Sequence, residues 1–146
     1  MFLGPAINLK LRPRILDLKP GTRVVSNTFT MGEWIPDQSV TVEGKDGCSS
    51  YCTALLWIVP AHVEGVWKSP QGDLTFKQSF QTFSGTLKSN VTTVPVTNGK
   101  LRGDLMTFNV GDTAYSGRVS GSTVEGTFTS AGGITPWNAT HLASPI

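Results

Sequence analysis

Few residues of the chain stand at spacings that could support catalysis or metal binding. Cys48 and Cys52 are the only cysteines, and the two histidines, His62 and His141, are isolated in the sequence. No second cysteine or histidine pair lies at the spacing of zinc ligands. The acidic residues form no spacing typical of acid–base catalysis. These patterns favour ordinary reduced cysteines, predict no metal, leave catalytic residues unknown and disfavour an independent hydrolase.

Length and charge limit the possible partners. At 146 residues the chain has the size of one ordinary domain, and its net charge of +2 is too small to indicate nucleic-acid binding. No apolar run is long enough to span a membrane. The apolar residues at the N-terminus are too few for a signal peptide and follow no basic segment. We therefore expect neither a nucleic-acid nor a membrane partner.

The first 19 residues predict helical structure with an interruption. Apolar residues recur at helix-like spacing over residues 5–19. Pro13 cannot continue a helix that is already under way, because it lacks an N–H and its ring clashes with the preceding turn. The pattern therefore predicts a short helix from about Pro5 to Leu11. A second turn or two would begin with Pro13.

A tight turn and a strand follow. Pro20 and Gly21 have the backbone preferences of a sharp turn after a helix. Val24 and Val25 then begin an apolar, β-branched run over residues 22–28, which is typical of a strand covered on both faces. A helix that leads into such a strand predicts parallel strands beside it.

The next 30 residues predict a loop and two strands. Residues 29–37 show no periodicity, yet this loop contains Phe29, Met31 and Trp34, large side chains that we expect to cover a core edge or line a cleft. Residues 38–43 alternate as a strand. Residues 54–59 form the most apolar run of the chain and should be a central strand ended by a proline.

From residue 61 onward the pattern predicts an antiparallel meander without helices. Short alternating segments recur, and several carry a glycine beside an apolar position, which suggests the strong bending of a small barrel. The segments with such a glycine are 63–67, 83–87, 101–105, 115–119 and 124–128. The turn signals are 69–72, 98–99, 110–112 and 120–122. The last strand should cover about residues 136–142.

Two segments of the N-terminal part resemble class I (seven-strand) S-adenosylmethionine-dependent methyltransferases. They are residues 2–13 (FLGPAINLKLRP) and residues 18–26 (LKPGTRVVS), and the resemblance extends to about residue 67. It implies that residues 22–28 are the fifth strand of that sheet, and that 38–43 and 54–59 are its closing antiparallel pair. The fold expected is mainly β: a truncated α/β (Rossmann-like) remnant with one or two short helices over residues 1–60, then a β-rich extension over 61–146.

The resemblance also implies where cofactor and acceptor would lie. Phe2, Leu3, Gly4 and Pro5 would border the pocket that holds the methyl group of S-adenosylmethionine. The alternative for Phe2 and Leu3 is that they are simply buried strand residues.

Three further residues would lie on the acceptor side. Asn8, Met31 and Trp34 are the substrate-binding candidates, the last two because they follow the carboxyl end of a strand. The alternatives are helix capping or surface hydrogen bonding for Asn8, and core-edge packing for Trp34.

The resemblance does not extend to the elements that hold the cofactor in this family. A glycine-rich loop after the first strand and an acidic residue after the second would have to lie before Met1. We therefore expect a truncated gene, a fragmentary reading frame or a start codon assigned too late. We expect a cytoplasmic bacterial protein that binds no S-adenosylmethionine alone and that self-associates through strand edges at residues 1–3 and 22–28.

An alternative hypothesis is a standalone barrel that binds a small apolar ligand or a partner protein, with the N-terminal helix as a plug or contact. A filled structural core would account for the same residues. The aromatic residues expected inside the barrel are Trp67, Phe76, Phe80, Phe83, Phe108 and Phe128.

Overall fold

The computed structural model describes residues 4–42 and 52–142. The chain divides into two compact units, Met1–Val59 and Pro60–Ile146. We call them the sheet unit and the barrel unit. None of the helical structure in the described parts is long and apolar enough to cross a membrane.

The sheet unit begins with one continuous helix, α1 (Pro5–Leu16), rather than two short ones. The prediction of a break at Pro13 was wrong. Proline removes a single hydrogen bond, and the helix continues for only three residues beyond it. Around its end, the N–H groups of Asp17 and Leu18 still donate to the carbonyls of Arg14 and Ile15.

Three short strands form the sheet of this unit: β1 (Arg23–Asn27), β2 (Gln38–Thr41) and β3 (Thr53–Ile58). Their order is β1-β3-β2, and β3 runs antiparallel to both neighbours. The predicted central strand and its antiparallel partner are therefore confirmed. The neighbour that the described residues give β1 is antiparallel, so the parallel strands expected beside it are not seen in the described part of the chain.

The prediction that β1 is buried on both faces was wrong. Ser26 is fully buried, but Val25 on the opposite face is 51% exposed and Val24 is only half-buried. On the face of Val25, the sheet forms an open, largely apolar groove of about 310 Å³. The residues that line it are Arg23, Val25, Gln38, Val40, Ala54, Leu55 and Leu56. Valines at this position thus reflect strand propensity without two-sided burial.

The barrel unit is an antiparallel meander of eight strands that closes on itself, which confirms the predicted small barrel. Each strand pairs with the next in sequence, and β11 returns to pair with β4. The strands are β4 (Gly65–Ser69), β5 (Gly72–Ser79), β6 (Thr82–Lys88), β7 (Thr93–Arg102), β8 (Leu105–Val110), β9 (Thr113–Ser120), β10 (Thr123–Ser130) and β11 (Gly133–His141).

Side chains fill the barrel interior, as expected for eight strands. Phe108 lies at the centre of an aromatic cluster: its ring stacks on Tyr115 with centroids 4.8 Å apart and meets Phe76, Trp137 and Phe83 at 5.5–5.8 Å. Of the aromatic residues predicted inside, Trp67, Phe76, Phe83 and Phe108 are buried and Phe128 is partly buried against the core. Phe80 is outside this cluster, in the turn between β5 and β6.

The seam that closes the barrel is short and includes a histidine that looks isolated in the sequence. Thr140 and His141 of β11 pair with Lys68 and Trp67 of β4. The imidazole of His141 stacks on Trp67 with centroids 4.7 Å apart, and its Nε2 lies 3.0 Å from the carbonyl oxygen of Glu64. His141 therefore packs over the closing seam.

Glycines have two different roles in the meander. Gly126 lies inside β10 opposite Gly117 of β9, and a Cβ added to it would overlap the carbonyl of Ser116. This position therefore requires glycine so that the strands can approach each other. Gly103 instead forms the turn between β7 and β8 with a φ of 62°, so the alternating segment 101–105 is divided between two strands and its glycine does not lie inside a strand.

The dipeptide Asn98-Gly99 does not make the predicted turn. It lies inside β7, where the pairing register with β6 and β8 shifts. Asn98 has a φ of 54°, a left-handed conformation that asparagine tolerates well. The residues expected to reverse the chain therefore form a bulge within a strand.

Candidate functional site

The candidate site of the sheet unit is the loop that connects β1 to β2, which we call the corner loop (residues 28–37). It begins directly after the carboxyl end of β1. Its first residue, Thr28, has a φ of 68°, which is uncommon for a β-branched residue. A strained residue at the start of a loop persists only when the surrounding structure fixes the conformation.

Asn8 of α1 holds this loop from a buried position. Its side chain is fully buried, and Nδ2 donates hydrogen bonds to the carbonyl oxygens of Phe29 and Thr30, both at 3.1 Å. Within the described residues its Oδ1 is buried without a hydrogen-bond partner. Asn8 thus binds the loop backbone and does not cap the helix, whose N-cap position is Gly4.

Two more side chains donate hydrogen bonds to the backbone of the corner loop, so that three consecutive carbonyls accept side-chain hydrogen bonds. Arg12 donates from a guanidinium nitrogen to the carbonyl oxygen of Met31 at 3.1 Å. Ser26, buried in β1, donates from Oγ to the carbonyl oxygen of Phe29 at 2.7 Å. Asn8 and Arg12 are four residues apart and therefore lie on the same face of α1. The helix and the strand together fix the backbone of the corner loop.

The far end of the loop is anchored in the core of the sheet unit. Met31 and Trp34 are both fully buried and form a β-bridge with each other. Nε1 of Trp57, in β3, donates to the carbonyl oxygen of Trp34 at 2.7 Å, and the two indole rings lie 6.2 Å apart. The expectation that large side chains of this loop cover a core edge is confirmed for Met31 and Trp34, while Phe29 is only half-buried.

The structure gathers part of the predicted site. Asn8, Met31 and Trp34 meet at the corner loop, where all three are buried, so their contact with a methyl acceptor stays a prediction. Gly4 is half-buried, and a Cβ added there would meet nothing within 4 Å, while Pro5 is exposed. Phe2 and Leu3 lie outside the described residues.

The sequence prediction missed Arg12 and Ser26. The signal for Arg12 was its spacing of four from Asn8, but the helix was predicted to end at Leu11, and only the continuous helix places both residues on one face. Ser26 had no comparable signal, because a serine among valines only becomes informative once the loop carbonyl lies beside it.

The chemistry available in the described residues is limited. They contain no group of three or more histidine, cysteine, aspartate and glutamate side chains that could hold a metal ion. Cys52 is disulfide-bonded, which contradicts the expectation of reduced cysteines. The other cysteine of the sequence, Cys48, lies outside the described residues.

Comparison with known proteins gives one informative similarity. Over 63 residues the chain is 40% identical to a protein-lysine N-methyltransferase of Saccharolobus islandicus (strain REY15A). The alignment covers 42% of this chain and 37% of that protein, so the chain spans little more than a third of the relative's length. No family profile and no solved structure matches. The chain therefore contains a methyltransferase-related region, and its fold includes a closed β-barrel.

Proposed function

We propose that this chain is the C-terminal part of a class I S-adenosylmethionine-dependent methyltransferase that acts on lysine side chains of proteins. We further propose that the 146 residues do not transfer methyl groups by themselves. The observation that carries the proposal is the 40% identity over 63 residues to an enzyme named for lysine methylation. The N-terminal sequence segments that resemble this class of enzyme support the same assignment.

The uncovered surfaces of the sheet unit support the second part of the proposal. Val25 and Val40 are each about half exposed on one face of the sheet, at 51% and 52%. Parallel α/β sheets are covered on both faces. A sheet with one open apolar face is what we expect from part of such a fold, with the remaining cover supplied by other elements.

The described residues do not fit a complete cofactor site. In the methyltransferase class proposed here, the cofactor site is formed by a glycine-rich turn from a strand into a helix and an acidic side chain for the ribose hydroxyls, a layout shared with other open α/β sheets. In the described part of the sheet unit, α1 precedes all three strands, so no strand there leads into a helix. Gly4 and Pro5 could contribute at most an edge of the pocket, and we derive no catalytic step from them.

The corner loop would then serve to shape the acceptor side of the assembled enzyme. Ligands of open α/β sheets bind beyond the carboxyl ends of the strands, which is where this loop begins. Hydrogen bonds from Asn8, Arg12 and Ser26 fix its backbone. We assign these three residues a positioning role, because Asn8 and Ser26 are fully buried and their bonds go to the loop backbone.

The test compares this chain with the reading frame extended upstream in the genomic DNA. Calorimetry should detect no S-adenosylmethionine binding to residues 1–146. The extended protein should bind the cofactor and transfer labelled methyl groups to a lysine-rich protein. An in-frame stop codon directly before Met1, or micromolar cofactor binding by the 146 residues, would contradict the proposal.

The role of Asn8 can be tested within the same extended enzyme. Asn8→Ala should lower kcat/KM for the protein acceptor while cofactor affinity stays near that of the unmodified enzyme. Lys10→Ala is the matched control, because Lys10 is exposed on the same helix. Equal activity of all three proteins would show that the corner loop does not shape the acceptor side.

The alternative of a standalone barrel that holds an apolar ligand inside is less favoured. The predicted lining residues Trp67, Phe76 and Phe108 are buried against other side chains of the aromatic core. A partner-protein role for the barrel stays a prediction.

A further inference from the structure

We propose that the barrel unit carries a binding site for a negatively charged sugar, meaning a saccharide with a carboxylate or phosphate group. Every residue of the site belongs to the barrel unit. The inference therefore goes beyond the methyltransferase proposal and does not depend on it.

The site is a cleft between two loops that connect strands at one end of the barrel. The turn from β4 to β5 and the loop from β6 to β7 border an open cleft of about 700 Å³. This volume lies within the range of small-molecule sites, roughly 300–1,000 Å³. The lining residues are Lys68, Ser69, Pro70, Gln71, Gly72, Asp73, Lys88, Ser89, Asn90 and Val91.

The charges of the cleft favour an anion. In the strand ladder Asp73 lies opposite Lys68 on one side and Lys88 on the other. Nζ of Lys68 is 2.9 Å from the Asp73 carboxylate. One carboxylate between two ammonium groups leaves a net charge of +1 on this row, so Lys88 can bind an anionic group while Lys68 remains paired.

Gln71 indicates that the ligand also donates hydrogen bonds. Gln71 is one of the residues that line the cleft, and its Oε1 is buried without a hydrogen-bond partner among the described residues. An unsatisfied buried amide oxygen costs about 1–3 kcal/mol. A rotation of this side chain toward the cleft would break no hydrogen bond of Oε1 and would let it accept one from a ligand hydroxyl.

The backbone keeps the cleft in shape. Gly72 has a φ of 140°, and a Cβ there would lie 2.5 Å from the carbonyl oxygen of Lys88. The turn backbone can therefore lie against the end of β6 only when this residue is glycine. Pro70 and the 90% exposed Val91 add apolar surface at the cleft, which suits the C–H face of a sugar ring. Anion, hydroxyl donors and an apolar face together describe an acidic saccharide.

The test is an NMR titration of the full chain with glucose 6-phosphate, glucuronate, glucose and inorganic phosphate. Backbone amide shifts at residues 68–73 and 88–91 should move with one or both anionic sugars, and which of the two binds identifies the anionic group. Lys88→Gln should weaken that binding about tenfold, the loss expected for one hydrogen bond to a charged group. Gln71→Leu should weaken it less. The control Lys77→Gln, an exposed lysine of β5 that does not line the cleft, should leave it unchanged.

Three results would overturn the proposal. Binding of glucose as tight as that of the anionic sugars would show that charge is not recognised. Binding of inorganic phosphate as tight as that of glucose 6-phosphate would reduce the site to a simple anion site. An absence of shifts in the cleft with both anionic sugars at millimolar concentration would exclude the site.

Discussion

Each strand of the barrel unit has a hydrogen-bonded neighbour on both sides, whereas β1 of the sheet unit is paired on one side only within the described residues. Closure of the meander removes free edges, which otherwise recruit other strands. The sheet unit keeps an open apolar groove beside Val25 and Val40. The barrel unit thus pairs each of its strands and fills its own core, while the described part of the sheet unit leaves one apolar face open.

The interiors of the two units are also built differently. The barrel core is a ring cluster centred on Phe108 that draws on strands all around the barrel. The sheet unit has a smaller apolar core that includes Met31, Trp34 and Trp57, and side-chain hydrogen bonds of Asn8 and Trp57 hold a strained loop against it. We therefore expect the barrel to lose stability through cavities and the sheet unit to lose it through broken hydrogen bonds.

The largest effect should follow from emptying the barrel core. Phe108→Ala removes a ring that contacts four others and should lower the free energy of unfolding by about 3–5 kcal/mol. Urea denaturation followed by circular dichroism measures this loss. Phe128→Ala is the control, because Phe128 is only partly buried, and it should cost clearly less. Equal losses for both variants would contradict a core centred on Phe108.

In the sheet unit, removal of one buried amide should have the next largest effect. Asn8→Ala deletes two hydrogen bonds and leaves the carbonyls of Phe29 and Thr30 without these donors, at a cost of about 1–3 kcal/mol. In limited proteolysis, the protease should then cleave residues 28–37 faster. The control variant Lys10→Ala, changed at an exposed residue, should be cleaved at the same rate as the unmodified chain. Unchanged cleavage would mean that Asn8 does not hold the loop.

A smaller, pH-dependent effect is expected in the barrel. Burial raises the pKa of Tyr115 above its ordinary value of 10.0. The folded state therefore retains the phenol proton more strongly than the unfolded chain, and the associated stability is complete below about pH 10 and declines as the pH rises further. Thermal unfolding at about pH 9 and about pH 11 should show this decline, and Tyr115→Phe should reduce it. An identical decline in both proteins would contradict burial as its cause.

The smallest effect on stability, but a clear one on assembly, is expected at the open face of the sheet. We expect the chain to self-associate at high concentration through the apolar groove beside Val25 and Val40, since exposed apolar patches favour association. Val25→Lys should abolish the self-association and change the free energy of unfolding by no more than about 0.5 kcal/mol. Light scattering after size exclusion tests it, with Val91→Lys as a control at an exposed barrel valine. A monomeric wild-type chain would refute the expectation.

The sequence predicts the barrel better than the sheet unit because its signals are local. Gly111 and Gly121 form the predicted turns with φ near 60°, and β9 alternates between buried and exposed residues as the pattern requires. The bulge at Asn98-Gly99 was missed for a physical reason. The left-handed preference of this dipeptide is local, but whether it turns the chain or kinks a strand depends on the pairing partners.

Long-range contacts explain the failures in the sheet unit. The burial of β1 could not be read from Val24 and Val25, because it depends on which elements cover each face. The position of Asn8 on α1 was visible, but its binding to carbonyls 21 and 22 residues away was not. The break predicted at Pro13 is absent because little helix follows this proline, and the rule that proline disrupts a helix does not take the remaining length into account.

Native-state hydrogen exchange by NMR on the full chain tests the contrast between the two units most directly. Amides of the barrel strands, such as those of Phe108 and Val119, should exchange only through global unfolding of the barrel. Amides of β1 and β3 should exchange faster, with a lower opening free energy that falls further in Asn8→Ala. A single opening free energy shared by β1, β3 and the barrel strands would contradict the account, because it would make the chain one cooperative domain.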